Sequence, residues 1–270
     1  EFIQKDYDKS LADLDKAVAL GSIDPEGFKN IGDIRFLKND FSAAVTNYDL
    51  AVKNGANDAV VFNNRGKAKF NLKETQAWIA DFDRAIELNA NYLKAFSNRG
   101  TAKFALKDYS GTITDLEKSK AEGETPELLT MLGISYYLTD NKTQASANLE
   151  KALKAGVTDG KVYLYTGYLR FANNDFKGTI EALTSAETAG EKEDDLNLKR
   201  GKAFFEEKNY NASIADLEKS VAASKADLAA YEALALSYVL TQKEKEAGPH
   251  LEKAASLGSK SHEIFFQLGN

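Results

Sequence analysis

The chain has 270 residues, of which 43% are hydrophobic and 28% are charged, a composition typical of an ordinary globular protein. Its net charge of −6 argues against a nucleic-acid or anionic-membrane surface, because binding to phosphates requires a basic face. The absence of cysteine excludes disulfides, thiolate metal sites and a cysteine nucleophile, and it is compatible with a cytoplasmic or a periplasmic location. No apolar run approaches the ~20 residues that a membrane-spanning helix needs.

An internal repeat organises the chain. Residues 96–104 (FSNRGTAKF) nearly repeat residues 62–70 (FNNRGKAKF), 34 positions earlier. Steps of 34 residues, with one step of 33, place further residues in register with Gly66 and Gly100. We call this set of positions the glycine column. Its other members are Gly32, Gly133, Gly167, Gly201, Ala235 and Gly269. In such an array, length counts repeats rather than domains.

This register predicts a single array with a partial repeat at each end. The partial repeats are 1–24 and 262–270, and the seven full repeats, numbered 1 to 7, are 25–58, 59–92, 93–125, 126–159, 160–193, 194–227 and 228–261. Because both ends fall inside a repeat, we expect the chain to be a piece of a longer protein.

Each repeat has the pattern of two helices. In repeat 3, Phe104 follows the glycine column by four residues, Leu116 by sixteen, and the small Thr112 and Ser119 by twelve and nineteen. Apolar and small residues at spacings of three and four predict helical faces, and a short polar turn separates the two. The sequence therefore predicts an all-α fold, an α-solenoid of stacked antiparallel helix pairs.

Helix ends are marked independently of this pattern. Glycines recur 23 residues after the glycine column, where a left-handed residue would end a second helix: Gly21, Gly55, Gly123, Gly156, Gly190 and Gly258. Asp24-Pro25 and Thr125-Pro126 have the pattern of an N-cap followed by proline in the first turn, and further caps are predicted at Asp58, Asp159, Asp227 and Ser261.

A 34-residue helix-turn-helix with these aromatic, glycine and alanine columns resembles the tetratricopeptide repeat family over essentially the whole chain. One departure is that glycine replaces the proline usual near the end of each unit. The resemblance implies a right-handed superhelix in which the first helices line a concave groove for peptides or protein segments.

Two columns change together among the repeats. Arg65, Arg99 and Arg200 precede the glycine in three full repeats, and no other full repeat has aspartate fifteen residues after it, as these have at Asp81, Asp115 and Asp216. A charge at a partly buried helix contact needs a partner, so we predict an ion pair between the two helices of each of these repeats.

Repeats 2 and 7 also contain exceptions to the pattern. Trp78 stands in a small-residue column and Thr75 in an aromatic one, an exchange that conserves volume and predicts Trp78 in the core rather than at a binding surface. Pro249 lies inside the second helix of repeat 7 and is expected to delay or kink it.

Catalytic signatures are missing from the sequence. His250 and His262 are the two histidines, and neither has a metal-ligand spacing. No phosphate-binding loop, dinucleotide fingerprint or serine nucleophile elbow occurs. We expect no enzyme activity, no metal and no cofactor.

The resemblance implies that the groove is lined by first-helix residues six, three and two before the glycine and one after it. Two before it stand Asn30, Asn64 and Asn98, whose amides can donate to and accept from a peptide backbone. The alternative is that they hydrogen-bond neighbouring helices. Lysines on the same face favour an acidic or carboxylate-bearing partner segment: Lys29, Lys67 and Lys94. Asp33 stands where the carboxylate clamp of chaperone-binding members has asparagine, which argues against that clamp.

Further along the chain the same columns become apolar, at Met131, Ile134, Leu164, Tyr165 and Tyr168. Tyrosine is a common interface anchor, although packing between first helices explains these residues equally well. The sequence thus predicts a non-catalytic scaffold that binds a protein or peptide in the groove, with a structural spacer or self-association module as the alternative.

Overall fold

The computed structural model of the chain describes residues 2–21, 24–73 and 77–269, apart from the side chains of residues 2–5 and 194. Within these residues the regular secondary structure is entirely helical, which confirms the predicted all-α class. The chain forms two compact units, Glu1–Ser135 and Tyr136–Asn270, which we call the N-terminal and C-terminal halves. None of the described helices is both long enough and apolar enough to cross a membrane.

The helices follow one another through short turns. Those of the N-terminal half are α1 (Phe2–Ala19), α2 (Pro25–Leu37), α3 (Phe41–Lys53), α4 (Ala59–Asn71), α5 (Ala77–Leu88), α6 (Leu93–Ala105) and α7 (Tyr109–Ser119). A 3₁₀ turn (Lys120–Glu122) leads to α8 (Pro126–Leu138), which contains the boundary between the halves. The C-terminal half continues with α9 (Lys142–Lys154), α10 (Gly160–Ala172), α11 (Phe176–Thr188), α12 (Asp194–Glu206), α13 (Tyr210–Ala222), α14 (Leu228–Leu240), α15 (Glu244–Ser256) and α16 (His262–Leu268).

Each half is a stack of helix pairs. The two helices of a repeat pack on each other in repeats 1 to 3 and 5 to 7, and second helices pack on the first helix of the next repeat, as in α2–α3–α4 and α12–α13–α14. First helices of consecutive repeats also touch, in the rows α2–α4–α6 and α10–α12–α14. We call the surface of each row the first-helix face of its half. The predicted solenoid of antiparallel pairs is thus observed within each half.

The glycine column marks the closest approach of the two helices in a repeat. A Cβ atom added at Gly100 would lie 2.7 Å from Leu116 Cδ2, and one at Gly167 would lie 2.5 Å from Leu183 Cδ2. Only a residue without a side chain allows a leucine of the second helix to sit at this distance. Glycine is therefore required here by packing, since these positions are helical.

Trp78 is a core residue, as predicted. It is 3% exposed, packs with Phe82 and Ala102, and meets Phe70 edge-on at a centroid distance of 5.4 Å. Its proposed exchange partner, Thr75, lies outside the described residues.

The predicted helix ends are confirmed. All six glycines at the ends of second helices have positive φ, from +66° at Gly21 to +133° at Gly123. The side chains of the predicted N-caps accept backbone N–H bonds, as Asp24 does from Gly27 at 2.8 Å.

Left-handed residues also occur at positions that are not glycine. The turn between the two helices of every full repeat has a non-glycine residue with φ near +60°, for example Lys107. Ser224 has φ +56° in the column that glycine fills in most other repeats. Each such residue carries a cost in free energy that glycine would avoid.

The prediction that Pro249 delays its helix is wrong. Helix α15 begins at Glu244, nine residues after Ala235, and α7 begins at the same offset from Gly100. The helix continues through the exposed Pro249 to Ser256, although the proline lacks the N–H for one backbone hydrogen bond of the second turn.

We expect Gly100→Ala to lower the free energy of unfolding by about 1–3 kcal/mol, because Leu116 must move to admit the methyl group. Urea denaturation followed by circular dichroism measures the change. Gly269→Ala is the control, since its Cβ would lie no closer than 3.6 Å to any atom. Equal effects of the two substitutions would contradict the packing argument.

Exchanging residues in the left-handed column gives a reciprocal test. Ser224→Gly should raise the free energy of unfolding by about 0.5–1 kcal/mol, since glycine adopts positive φ without steric cost. Gly190→Ser, at φ +97°, should lower it. Thermal denaturation of both variants measures the two shifts, and shifts of the same sign would rule out backbone strain as the cause.

Candidate functional site on the first-helix faces

The predicted ion pairs within repeats are confirmed, and they are bidentate. Arg99 donates from Nε and Nη2 to the Asp115 carboxylate at 2.8 and 2.6 Å. Arg200 contacts Asp216 at 2.6 and 2.9 Å, and Arg65 contacts Asp81 at 2.5 to 3.1 Å. These contacts account for the three arginines without an external anion.

Each arginine also reaches an acid of the preceding repeat. Nη1 of Arg65 lies 2.8 Å from Asp49, Nη1 of Arg99 lies 2.6 Å from Asp83, and Nη1 of Arg200 lies 2.7 Å from Glu187. One guanidinium thus connects both helices of its own repeat to the second helix of the repeat before it. This link was not predicted from the sequence, because a comparison of columns within a repeat does not detect contacts between repeats.

Asparagines of the predicted groove connect first helices to one another. Asn98 Nδ2 donates to Asn63 Oδ1 at 2.7 Å, and Asn63 Nδ2 donates to Asn64 Oδ1 at 3.2 Å. Asn64 Nδ2 in turn donates to Asp33 Oδ1 at 2.9 Å. Hydrogen bonds to neighbouring helices, the alternative to ligand binding, therefore account for Asn64 and for the amide nitrogen of Asn98.

Asp33 is the centre of this network. Its Oδ1 also accepts from Tyr48 Oη at 2.7 Å, and its Oδ2 accepts from Lys29 Nζ at 3.4 Å. Burial, with the hydrogen bond to Asp33, raises the pKa of Tyr48 above its ordinary value. Three donors thus compensate the Asp33 charge.

A pocket of about 270 Å³ opens beside this network, lined by Asp33, Phe36, Leu37, Tyr48, Asn64 and Lys67. Lys67 Nζ lies 5.0 Å from the centroid of the Phe36 ring. Among the described residues, no carboxylate pairs with Lys67, whereas Lys29 contacts Glu26 at 2.8 Å and Asp33. Lys67 therefore brings an uncompensated positive charge to a pocket with aromatic walls.

Asn64 and Lys67 lie on one surface, as predicted, but the apolar part of the pocket was not predicted. Phe36 belongs to the aromatic column four residues after the glycine and is half-buried. Of the other predicted residues in this half, Asn30 and Lys94 are exposed and Met131 is half-buried. The prediction that Ile134 lines the groove is wrong, since it is 6% exposed and belongs to the core.

In the C-terminal half the predicted residues divide in the same way. The prediction that Leu164 lines the groove is wrong. Leu164 is 1% exposed and packs with Leu183 and Leu196, because its column faces the second helix here. Tyr165 stacks on Tyr137 with ring centroids 4.2 Å apart, and Lys199 Nζ lies 5.1 Å from the Tyr168 ring centroid. Both predicted tyrosines are half-buried in an aromatic cluster.

Comparisons with known proteins agree with this architecture. A family model described as tetratricopeptide repeat matches residues 59–92. Among solved structures, the chain is similar to a tetratricopeptide repeat protein from Parabacteroides merdae, at 17% identity and a TM-score of 0.51, over 91% of this chain and 97% of that one. It is also similar to the C-terminal part of a repeat-containing protein from Cytophaga hutchinsonii, at 14% identity and a TM-score of 0.54, over 99% and 96% of the two chains.

A third similar structure is YrrB, described as a TPR protein with an unusual peptide-binding site. It is 18% identical, with a TM-score of 0.55 over 69% of this chain and 96% of that one. No curated protein sequence matches the chain. At these identities the structural likeness establishes the fold alone.

Removal of one arginine tests the ionic connection between repeats. Arg99→Ala should lower the free energy of unfolding by about 3 kcal/mol, because it leaves the fully buried Asp115 without its bidentate partner. Arg84→Ala is the matched control, since Arg84 is 44% exposed and pairs with the exposed Glu87. Urea denaturation measures both, and a control effect above about 1 kcal/mol would undermine the comparison.

Proposed function

We propose that this chain, which has the fold of tetratricopeptide repeat proteins, is a non-catalytic scaffold that binds an acidic peptide segment of a partner protein. The segment lies on the first-helix face of the N-terminal half. The pocket beside Lys67 receives an apolar side chain of the segment, and a neighbouring carboxylate approaches the lysine.

The unpaired charge of Lys67 at an aromatic-walled pocket is the observation that carries this proposal. Lys29 is compensated by Glu26 and Asp33, so it adds little attraction for an anion. Asp33 itself is held by three donors and acts by fixing Tyr48 and Asn64 as pocket walls. Recognition is therefore by one cation, which differs from a clamp of several cations around a terminal carboxylate.

Other predicted residues extend the same surface. Asn30 and Lys94 are exposed, and Asn98 retains its carbonyl oxygen for a backbone N–H of the segment. We assign Lys29 and Asn64 supporting positions along this face, and Met131 is a further half-buried residue of the N-terminal half. In the C-terminal half, Tyr165 and Tyr168 offer apolar contact area. The description of YrrB as peptide-binding supports this class of partner for the fold.

Self-association is the second candidate function. Sedimentation equilibrium separates the candidates: a mass that rises with concentration favours self-association, and a constant monomer mass favours the peptide scaffold.

The charge of Lys67 provides the test. Peptides selected on the immobilised wild-type chain from a random library should be enriched in acidic residues next to apolar ones. Lys67→Glu should weaken their binding at least about tenfold in fluorescence polarisation, because attraction becomes repulsion.

Lys53→Glu is the matched control. It makes the same change of charge at an exposed residue of α3, away from the first helices, and should leave the affinity within about twofold. Equal binding by Lys67→Glu and the wild type would reject the proposed site.

A further inference from the structure

A second pocket opens on the first-helix face of the C-terminal half, between α10, α12 and α14. Its volume is about 370 Å³, and its apolar walls include Phe171, Phe205 and Leu236. The charged residues that line it are Lys202, Glu206 and Glu232. None of these charged residues was predicted from the sequence to form a site, because their columns are occupied differently from one repeat to the next.

The charge that this pocket leaves uncompensated is negative. Lys202 Nζ lies 2.7 Å from Asp227 Oδ2, so the lysine is already paired. Within the described residues, neither Glu206 nor Glu232 forms an ion pair with a basic side chain. Two carboxylates without an ion-pair partner therefore line a pocket whose wall also contains phenylalanine rings.

One of these carboxylates is held in position by the fold. Ser259, which is 5% exposed, donates from Oγ to Glu232 Oε1 at 2.5 Å, and Ser259 Oγ accepts from the backbone N–H of Ser261 at 3.1 Å. Hydrogen bonds in such a chain strengthen one another. The arrangement fixes Glu232 at the pocket and leaves its second oxygen, Oε2, for a ligand.

We propose that this pocket binds an arginine side chain of a partner protein. The methylene stem lies along Phe205 and Leu236, and the guanidinium donates to Glu232 while stacking on an aromatic ring. A planar guanidinium stacks on aromatic faces and is more weakly hydrated than an ammonium, which favours arginine over lysine. The Phe171 ring already takes part in one cation–π contact, since Lys199 Nζ lies 5.8 Å from its centroid.

Arginine and citrulline derivatives form a matched pair of probes, because they share a shape and differ in charge. Acetyl-arginine N-methylamide and its citrulline counterpart are titrated into the full chain, and backbone amide resonances are followed by NMR. The arginine probe should shift amides around the pocket and bind at least about fivefold more tightly than the citrulline probe. Equal affinity of the two probes, or shifts confined to other regions, would overturn the proposal.

Glu232→Gln should reduce arginine binding to the citrulline level, since glutamine keeps the acceptor for Ser259 and removes the charge. Glu206→Gln, an exposed position, gives a second variant in which folding is not at risk. Glu181→Gln on α11 is the control and should retain the preference for arginine. A preference that survives both pocket substitutions would reject the site. Because Lys67 plays no part here, these results stand or fall separately from the peptide site of the N-terminal half.

Discussion

The bidentate pair between an arginine of the first helix and an aspartate of the second is the interaction on which repeats 2, 3 and 6 depend. A buried carboxylate such as Asp115 is strongly disfavoured unless cations compensate it, and Arg99 and Lys103 both do so, Lys103 at 2.9 Å. The same guanidinium contacts Asp83 of the preceding repeat. In a linear array, stability is the sum of terms within repeats and terms between neighbours. Because one side chain enters both terms, loss of Arg99 weakens the repeat and its junction together.

Repeats that lack the pair replace both partners by other residues. In repeat 1, Ile31 is 2% exposed and Asn47 turns back to donate to the Ala43 carbonyl of its own helix at 2.8 Å. In repeat 7, His250 stacks on Tyr238 with centroids 5.7 Å apart. A single charge left at this buried contact would be unpaired, so arginine and aspartate are present or absent together. The ion pair therefore explains why the arginine and aspartate columns change together, and a comparison of the repeats with one another is enough to reveal this pattern.

The sequence predicted features that depend on positions within one repeat, and it did not predict contacts between repeats. The glycine column, the caps and Trp78 follow from local spacing, since each reports one helix face or one helix end. The left-handed Lys107 has no sequence signal, because any residue at a tight turn can be forced into that conformation by the helices on either side. The contact between Arg99 and Asp83 joins two repeats. The pocket does so too, since its walls at Phe36 and Tyr48 belong to repeat 1 and Lys67 belongs to repeat 2. The prediction for Leu164 is wrong because a column shared with polar groove residues does not have the same exposure in every repeat.

Compensation of charge separates residues that serve the fold from those available to a partner. Lys67 and Lys69 are two positions apart on α4 and so project in different directions. Lys69 contacts the buried Asp81 at 2.9 Å, which compensates its charge, whereas Lys67 meets an aromatic ring and no carboxylate within the described residues. Lys202 and Glu232 form the corresponding contrast in the C-terminal half, where the lysine is paired and the glutamate is held by a serine. An uncompensated charge beside apolar walls gains most from a ligand that supplies both the opposite charge and a hydrophobic surface. By this criterion Asn64 helps to form the pocket of the N-terminal half, where the unpaired charge is that of Lys67, and Glu206 and Glu232 are the unpaired charges of the separate pocket in the C-terminal half.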